Sequence, residues 1–108
     1  MTKWILTLLI SLNGCANPSI EYRWDHGTLI QINHNTDCPD GSRNACAVGQ
    51  GIYLPVWADH EYYIRHEIGH IHGMVHTEWV LQPSGELCAT VTVQGASEFP
   101  VGYKFCIR

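Results

Sequence analysis

Basic residues are scarce in this chain: six Lys and Arg stand against ten Asp and Glu in 108 residues, for a formal net charge of −4. They form no cluster, so no cationic stripe is available for a phosphate backbone, and this argues against a nucleic-acid partner. No apolar run approaches the roughly 20 residues that a permanent membrane-spanning helix needs, and no internal repeat divides the chain. No Cys-x-x-Cys pair occurs, which removes the common cysteine-based zinc sites. What these absences leave is one small domain, of a size that often depends on disulfides or a metal as staples. Histidine, by contrast, is plentiful, with seven copies.

Lys3 followed by the short apolar run Trp4 to Leu12 has the make-up of a secretory signal. Leu12-Asn13-Gly14-Cys15 then resembles a bacterial lipobox, which implies cleavage before Cys15 and a lipid on its sulfur as membrane tether. Ordinary signal cleavage nearby, for instance after Ala16, is the competing reading, and both export the protein. The expected division is a signal peptide over residues 1–14, a lipid-anchored linker over 15–27 and a folded domain over 28–108. The expected location is the cell envelope, in the periplasm or at the cell surface. Of five cysteines, setting Cys15 aside leaves Cys38, Cys46, Cys88 and Cys106. In an exported small domain four cysteines read as two disulfides. Three pairings exist; Cys38 with Cys46 is favoured because it closes a loop around the turn signal Pro39-Asp40-Gly41-Ser42, and Cys88 with Cys106 because it joins two late strands.

The densest chemistry lies in His66-Glu67-Ile68-Gly69-His70-Ile71-His72-Gly73-Met74-Val75-His76. On a helix turning about 100° per residue, His66 and His70 project about 40° apart, able to hold one metal ion together. Glu67 lies about 100° round from His66, beside the pair, where its carboxylate can reach a water on the metal without displacing it. Gly73 tolerates the left-handed conformation that ends helices, so the chain can turn back and bring His76 over the same metal. Three neutral imidazoles leave a fourth position open, as a catalytic zinc site requires. A histidine-rich helix without metal, and a structural zinc without catalysis, are the two plainer readings.

The string fits H-E-x-x-H-x-x-G-x-x-H at every fixed position and so resembles the metzincin zinc metallopeptidases. The resemblance implies one Zn2+ on His66, His70 and His76, with Glu67 as the catalytic base for zinc-dependent hydrolysis of a peptide bond. It further implies a small zincin-like α+β domain, a mixed β-sheet packed on one metal-binding helix with a β-rich C-terminal tail. The substrate is then a peptide or protein, cell-wall peptide included. Two departures stand out. Metzincins carry a methionine in a turn beneath the zinc, downstream of the third histidine, and this chain has none after Met74. Their catalytic domains are also considerably longer. Glu78, Glu86 and Glu98 therefore stay open as alternative third ligands, although the spacing of His76 from Gly73 favours His76. A zinc-stabilised binding protein without turnover, and a hydrolase of a peptidoglycan amide bond, are the rival functions.

Around the motif, Thr28 to Asn35 reads as a strand with Ile30 and Ile32 on one face, and Tyr22 and Trp24 as part of a shorter one before it. Asn35 to Ala47 is a loop by composition. Gly49 to Val56, with its glycines and Pro55, reads as an edge strand whose free backbone groups either bind an extended peptide or pair with nothing. Asp59 is the expected N-cap of the metal helix, with Glu61 in its first turn. Ile64, Ile68 and Ile71 lie opposite His66 and His70, while Tyr63 shares the metal side and His72 points away. Gly69 inside the helix implies close approach by another segment. Leu87 to Val93 and Tyr103 to Ile107 are expected to pair as strands. Tyr103 is a possible oxyanion donor, with packing favoured, and His26, His34, His60 and His72 are taken as polar surface.

Overall fold

The computed structural model describes residues 17–107, which form a small α+β domain of one α-helix and mixed β-structure. The expected signal peptide and the lipid-bearing Cys15 lie outside the described residues.

Strand β1 (Ser19–Asp25) pairs antiparallel along its whole length with β2 (Thr28–His34), from Ser19 opposite His34 to Asp25 opposite Thr28. The linker expected over residues 15–27 is thus a full strand from Ser19 onward. Its period-2 pattern Ile20, Tyr22, Trp24 was a strand signal, and the tight turn through His26 (φ 48°) and Gly27 (φ 81°) delivers it back to β2. β3 (Cys46–Val48) and β4 (Gly51–Leu54) complete the first sheet in the order β1-β2-β4-β3, with β4 parallel to β2 and antiparallel to β3. The stretch read as an edge strand is therefore internal. Ile52 and Leu54 have no exposure, and burying them between two neighbours outweighs the edge preference of the flanking Pro55 and glycines. The edge strands of this sheet are β1 and β3.

After a 3₁₀ turn (Val56–Ala58) helix α1, the one α-helix among the described residues, runs over Glu61–Ile71. Its N-cap is His60 and not Asp59. Asp59 is drawn away by better partners, accepting from the Asn35 backbone N–H at 3.1 Å and lying 2.6 Å from the His34 ring. Ile64 and Ile68 of α1 pack with Ile30, Ile32, Ile52 and Leu54 into the main core, with Ile71 against its border. Each fully buried isoleucine contributes about 1.5–3 kcal/mol.

Beyond the helix, β5 (Val75–His76) and β6 (Val80–Leu81) pair with successive parts of β7 (Leu87–Val93), and β8 (Lys104–Ile107) pairs antiparallel with β7. Met74, Val91, Phe99 and Phe105 form a second core cluster. The two disulfides are Cys38–Cys46 and Cys88–Cys106, the favoured pairing. The second joins directly opposed residues of β7 and β8.

Candidate metal centre

The helix places His66 and His70 one turn apart, and the chain then reverses. Gly73 takes φ 95°, its N–H bonds the His70 carbonyl and the Met74 N–H bonds the Gly69 carbonyl. This left-handed stop sends the backbone into β5, whose pairing with β7 fixes His76 opposite Val91. The close approach inferred from Gly69 is made by Met74 and Phe99: a Cβ at Gly69 would stand 3.1 Å from the Met74 thioether and 3.2 Å from the Phe99 ring.

The three imidazoles converge through their Nε2 atoms, at 3.1 Å between His66 and His70 and 3.2 Å from His76 to each. Nδ1 of His70 faces the Met74 carbonyl at 3.1 Å and Nδ1 of His76 faces the Thr77 carbonyl at 2.6 Å. A carbonyl only accepts, so both Nδ1 atoms carry the proton and both Nε2 atoms present bare lone pairs. Lone pairs aimed at one another at hydrogen-bond distance repel unless a cation lies among them. Three nitrogens bound to one tetrahedral zinc at 2.0–2.1 Å stand about 3.3–3.4 Å apart, so this triangle fits zinc with a shift of a few tenths of an ångström. Backbone carbonyls on the far ring nitrogens are also the usual orienting partners of metal-bound histidine.

Electrostatics favour the neutral, ligand form of His66 and His70. Burial first, then repulsion from His70 and His76, pull the His66 pKa down to about 3. Burial likewise lowers His70, reinforced by His76 and opposed by its hydrogen bond to Met74. Glu67 is 6 % exposed, and burial pushes its carboxyl up to about 7. Its Oε2 stands 4.0 Å from Nε2 of His66, beside the donor triangle and not within it. The centre opens into a cleft of about 690 Å³ walled by Trp57, Tyr62, Tyr63, Trp79, Leu87 and Ile107, with Asn44 to Ala47 along one side.

No family model, curated protein or solved structure matches this chain.

The site therefore stands on its own geometry. His66, His70 and His76 form one group, with Glu67 beside them, as their spacing predicts. The alternative third ligands are engaged or placed elsewhere: Glu98 pairs with Arg65, and Glu86 accepts from the Ser84 hydroxyl at 3.3 Å near the Cys88–Cys106 bridge. Glu78 does not line the cleft. Tyr103 packs at an angle against Phe99 and Phe105 outside the cleft, so its role is packing. Tyr63 lines the cleft, and so does Tyr62, whose place one turn before His66 was a readable signal for the same face. Tyr62 is held by its hydroxyl, which donates to the Cys106 carbonyl at 3.2 Å and accepts from the Cys106 N–H at 3.0 Å.

Two further aromatic neighbours carried no sequence signal. The Phe105 ring meets His66 edge-on at 4.1 Å, and Trp79 lies 5.9 Å from His66 and 5.5 Å from His76. An aromatic ring thus packs against the histidines, while the Met74 thioether lies against Gly69 in the second core cluster. Two of the histidines taken as polar surface are also corrected. His34 bridges Asp59 at 2.6 Å and Glu21 at 2.8 Å, and His72 reaches Asp25 at 2.6 Å. Both pairings join segments far apart in the chain, which is why local pattern did not reveal them.

Proposed function

We propose that this chain is a small zinc-dependent peptide hydrolase of metzincin-like type, with Zn2+ held by His66, His70 and His76 and with Glu67 as catalytic base. The observation that carries the reading is the triangle of converging Nε2 atoms, with the bare lone pairs of His70 and His76 facing one another, beside a buried carboxylate that is not part of it. The H-E-x-x-H-x-x-G-x-x-H spacing, the glycine-ended helix and the α+β setting support the family assignment. When bound, zinc supplies Lewis acidity, lowering the pKa of water towards about 7 and polarising a carbonyl oxygen. Glu67, at its Oε2, accepts the proton of the attacking water and returns it to the leaving amine. Burial matches that carboxyl to neutral pH, near the range where a group both accepts and donates effectively. The cleft walls of Trp57, Tyr62, Tyr63 and Trp79 exclude water from the carboxylate and offer apolar contact to the substrate. The free edge of β3 runs beside the cleft through Cys46 and Ala47, where an extended peptide can add as a strand.

We place the enzyme in the cell envelope, tethered through Cys15. The two disulfides support an oxidising compartment. The deciding experiment pairs zinc stoichiometry by elemental analysis with peptide cleavage in the wild type and Glu67→Gln. The expected result is one zinc at this centre in both proteins and chelator-sensitive cleavage in the wild type alone. Cleavage that persists in Glu67→Gln overturns the assigned base. Zinc that raises the melting temperature with no cleavage of denatured protein identifies a binding protein, and digestion of purified cell wall alone identifies a peptidoglycan amide hydrolase.

A further inference from the structure

A second histidine and carboxylate group lies on the opposite side of α1 from the metal face. Asp25 ends β1, His26 occupies the hairpin turn, and His72 caps the C-terminus of α1. The three come from segments 47 residues apart, yet one potential ligand atom of each lies within 4.8 Å of the others. Oδ2 of Asp25 stands 2.6 Å from Nε2 of His72 and 3.2 Å from Nδ1 of His26. The two rings meet edge-on at 5.8 Å between centroids. Against the group lies a cavity of about 20 Å³ bordered by Ile68, Gly69, Ser97 and Glu98. That is room for about one water or one ion. A lone ion pair would need only Asp25 and His72; His26 makes the set a tridentate one.

We propose that Asp25, His26 and His72 form a second divalent-metal site, which fastens the tip of the β1–β2 hairpin to the C-terminal end of the metal helix. The proposal goes beyond the hydrolase reading and stands whether or not the first centre turns over peptide. Two imidazole nitrogens and one carboxylate oxygen are a borderline donor set, suited to zinc, nickel or copper and not to calcium or magnesium. On binding, the metal replaces the proton shared by His72 Nε2 and Asp25, and this proton and that of His26 Nδ1 move to the far ring nitrogens or to solvent. Solvent fills the remaining positions, since the His26 side chain is 76 % exposed. The consequence is structural: His72 is the residue at which the chain leaves α1 for Gly73 and His76, so a metal here would brace the turn that positions the third ligand of the first centre.

The test uses the 108-residue chain, equilibrated by dialysis against micromolar free Zn2+, with bound zinc counted by elemental analysis. His26→Asn is the informative variant, because asparagine suits the left-handed turn position, leaves the Asp25–His72 pair in place and folds. The expected result is two zinc equivalents in the wild type, one in His26→Asn and one in His66→Ala/His70→Ala. In 15N spectra of the imidazoles, zinc should shift Nδ1 of His26 and Nε2 of His72 in the His66→Ala/His70→Ala protein. A wild type holding a single zinc that His26→Asn loses supports this site and removes the first centre. Equal zinc content in the wild type and His26→Asn, with the His26 resonances unmoved, overturns the proposal.

Discussion

At the scale of single residues, burial and partners set proton affinities in ways that a pH titration can read. In the metal-free protein Glu67 is pushed up to about 7 by burial, above its value in an unfolded chain. The folded state then binds its proton more tightly, so its contribution is present at acid pH and lost as pH rises from about 4.5 through about 7. Urea denaturation of chelator-treated protein should show a loss on the order of 3 kcal/mol over that window, a slope that Glu67→Gln removes. Peptide cleavage by Glu67→Gln should fall by at least about 100-fold while zinc is retained. His34 is a second case. Burial disfavours its charged ring, but hydrogen bonds to Asp59 and Glu21, with their charges, outweigh it and hold its pKa above the ordinary value. Its stabilisation is present below about pH 6.5 and is lost as pH rises through the raised folded value. His34→Asn should therefore narrow the stability gap between pH 6 and pH 8, measured by thermal unfolding; an unchanged gap would sink this assignment.

At the scale of elements, the turn after α1 is the structural crux, because it carries the chain from His70 to His76. Gly95 lies against it so closely that a Cβ there would stand 2.6 Å from the His72 carbonyl oxygen and 2.7 Å from the Gly73 carbonyl carbon. Those are backbone atoms at a position whose own φ is 59°, so neither side can yield cheaply. Gly95→Ala should cost about 1–3 kcal/mol in urea denaturation and weaken zinc binding with it. Gly69→Ala is the instructive contrast. It gains up to about 1 kcal/mol of helix propensity, and its new methyl presses on the flexible end of Met74 as well as on Phe99. A small net effect is expected there, whereas Gly69→Val should destabilise clearly because its extra methyls have no such room. A Gly95→Ala protein as stable as the wild type would mean that the loop moves off the turn without cost.

At the scale of the whole molecule, two covalent staples compensate for a small core, and zinc at the proposed sites would add to them. Loop closure over separations of 8 and 18 residues contributes about 2.5 and 3 kcal/mol respectively. Together these rival the total stability of roughly 5–15 kcal/mol that a domain shows. Chelator or reductant alone should lower the melting temperature in circular dichroism, and the two together should abolish the folded baseline at 37 °C. Much of this molecule was legible in the chain itself. The His66 to His70 spacing determined which nitrogens share a helix face, the positions of Ile64 and Ile68 determined which face packs, and the short loop around Pro39-Asp40-Gly41 favoured the observed cysteine pairing. These features are local, and helix and turn geometry translate them directly into space. Tertiary structure alone decided the rest. It made β4 internal and β3 an edge strand, took Asp59 from the helix cap to His34, brought Phe105 and Trp79 against the imidazoles, and joined His72 to Asp25. Each of these depends on contacts between residues far apart in the chain, where burial and hydrogen bonding choose among partners that a linear pattern cannot rank.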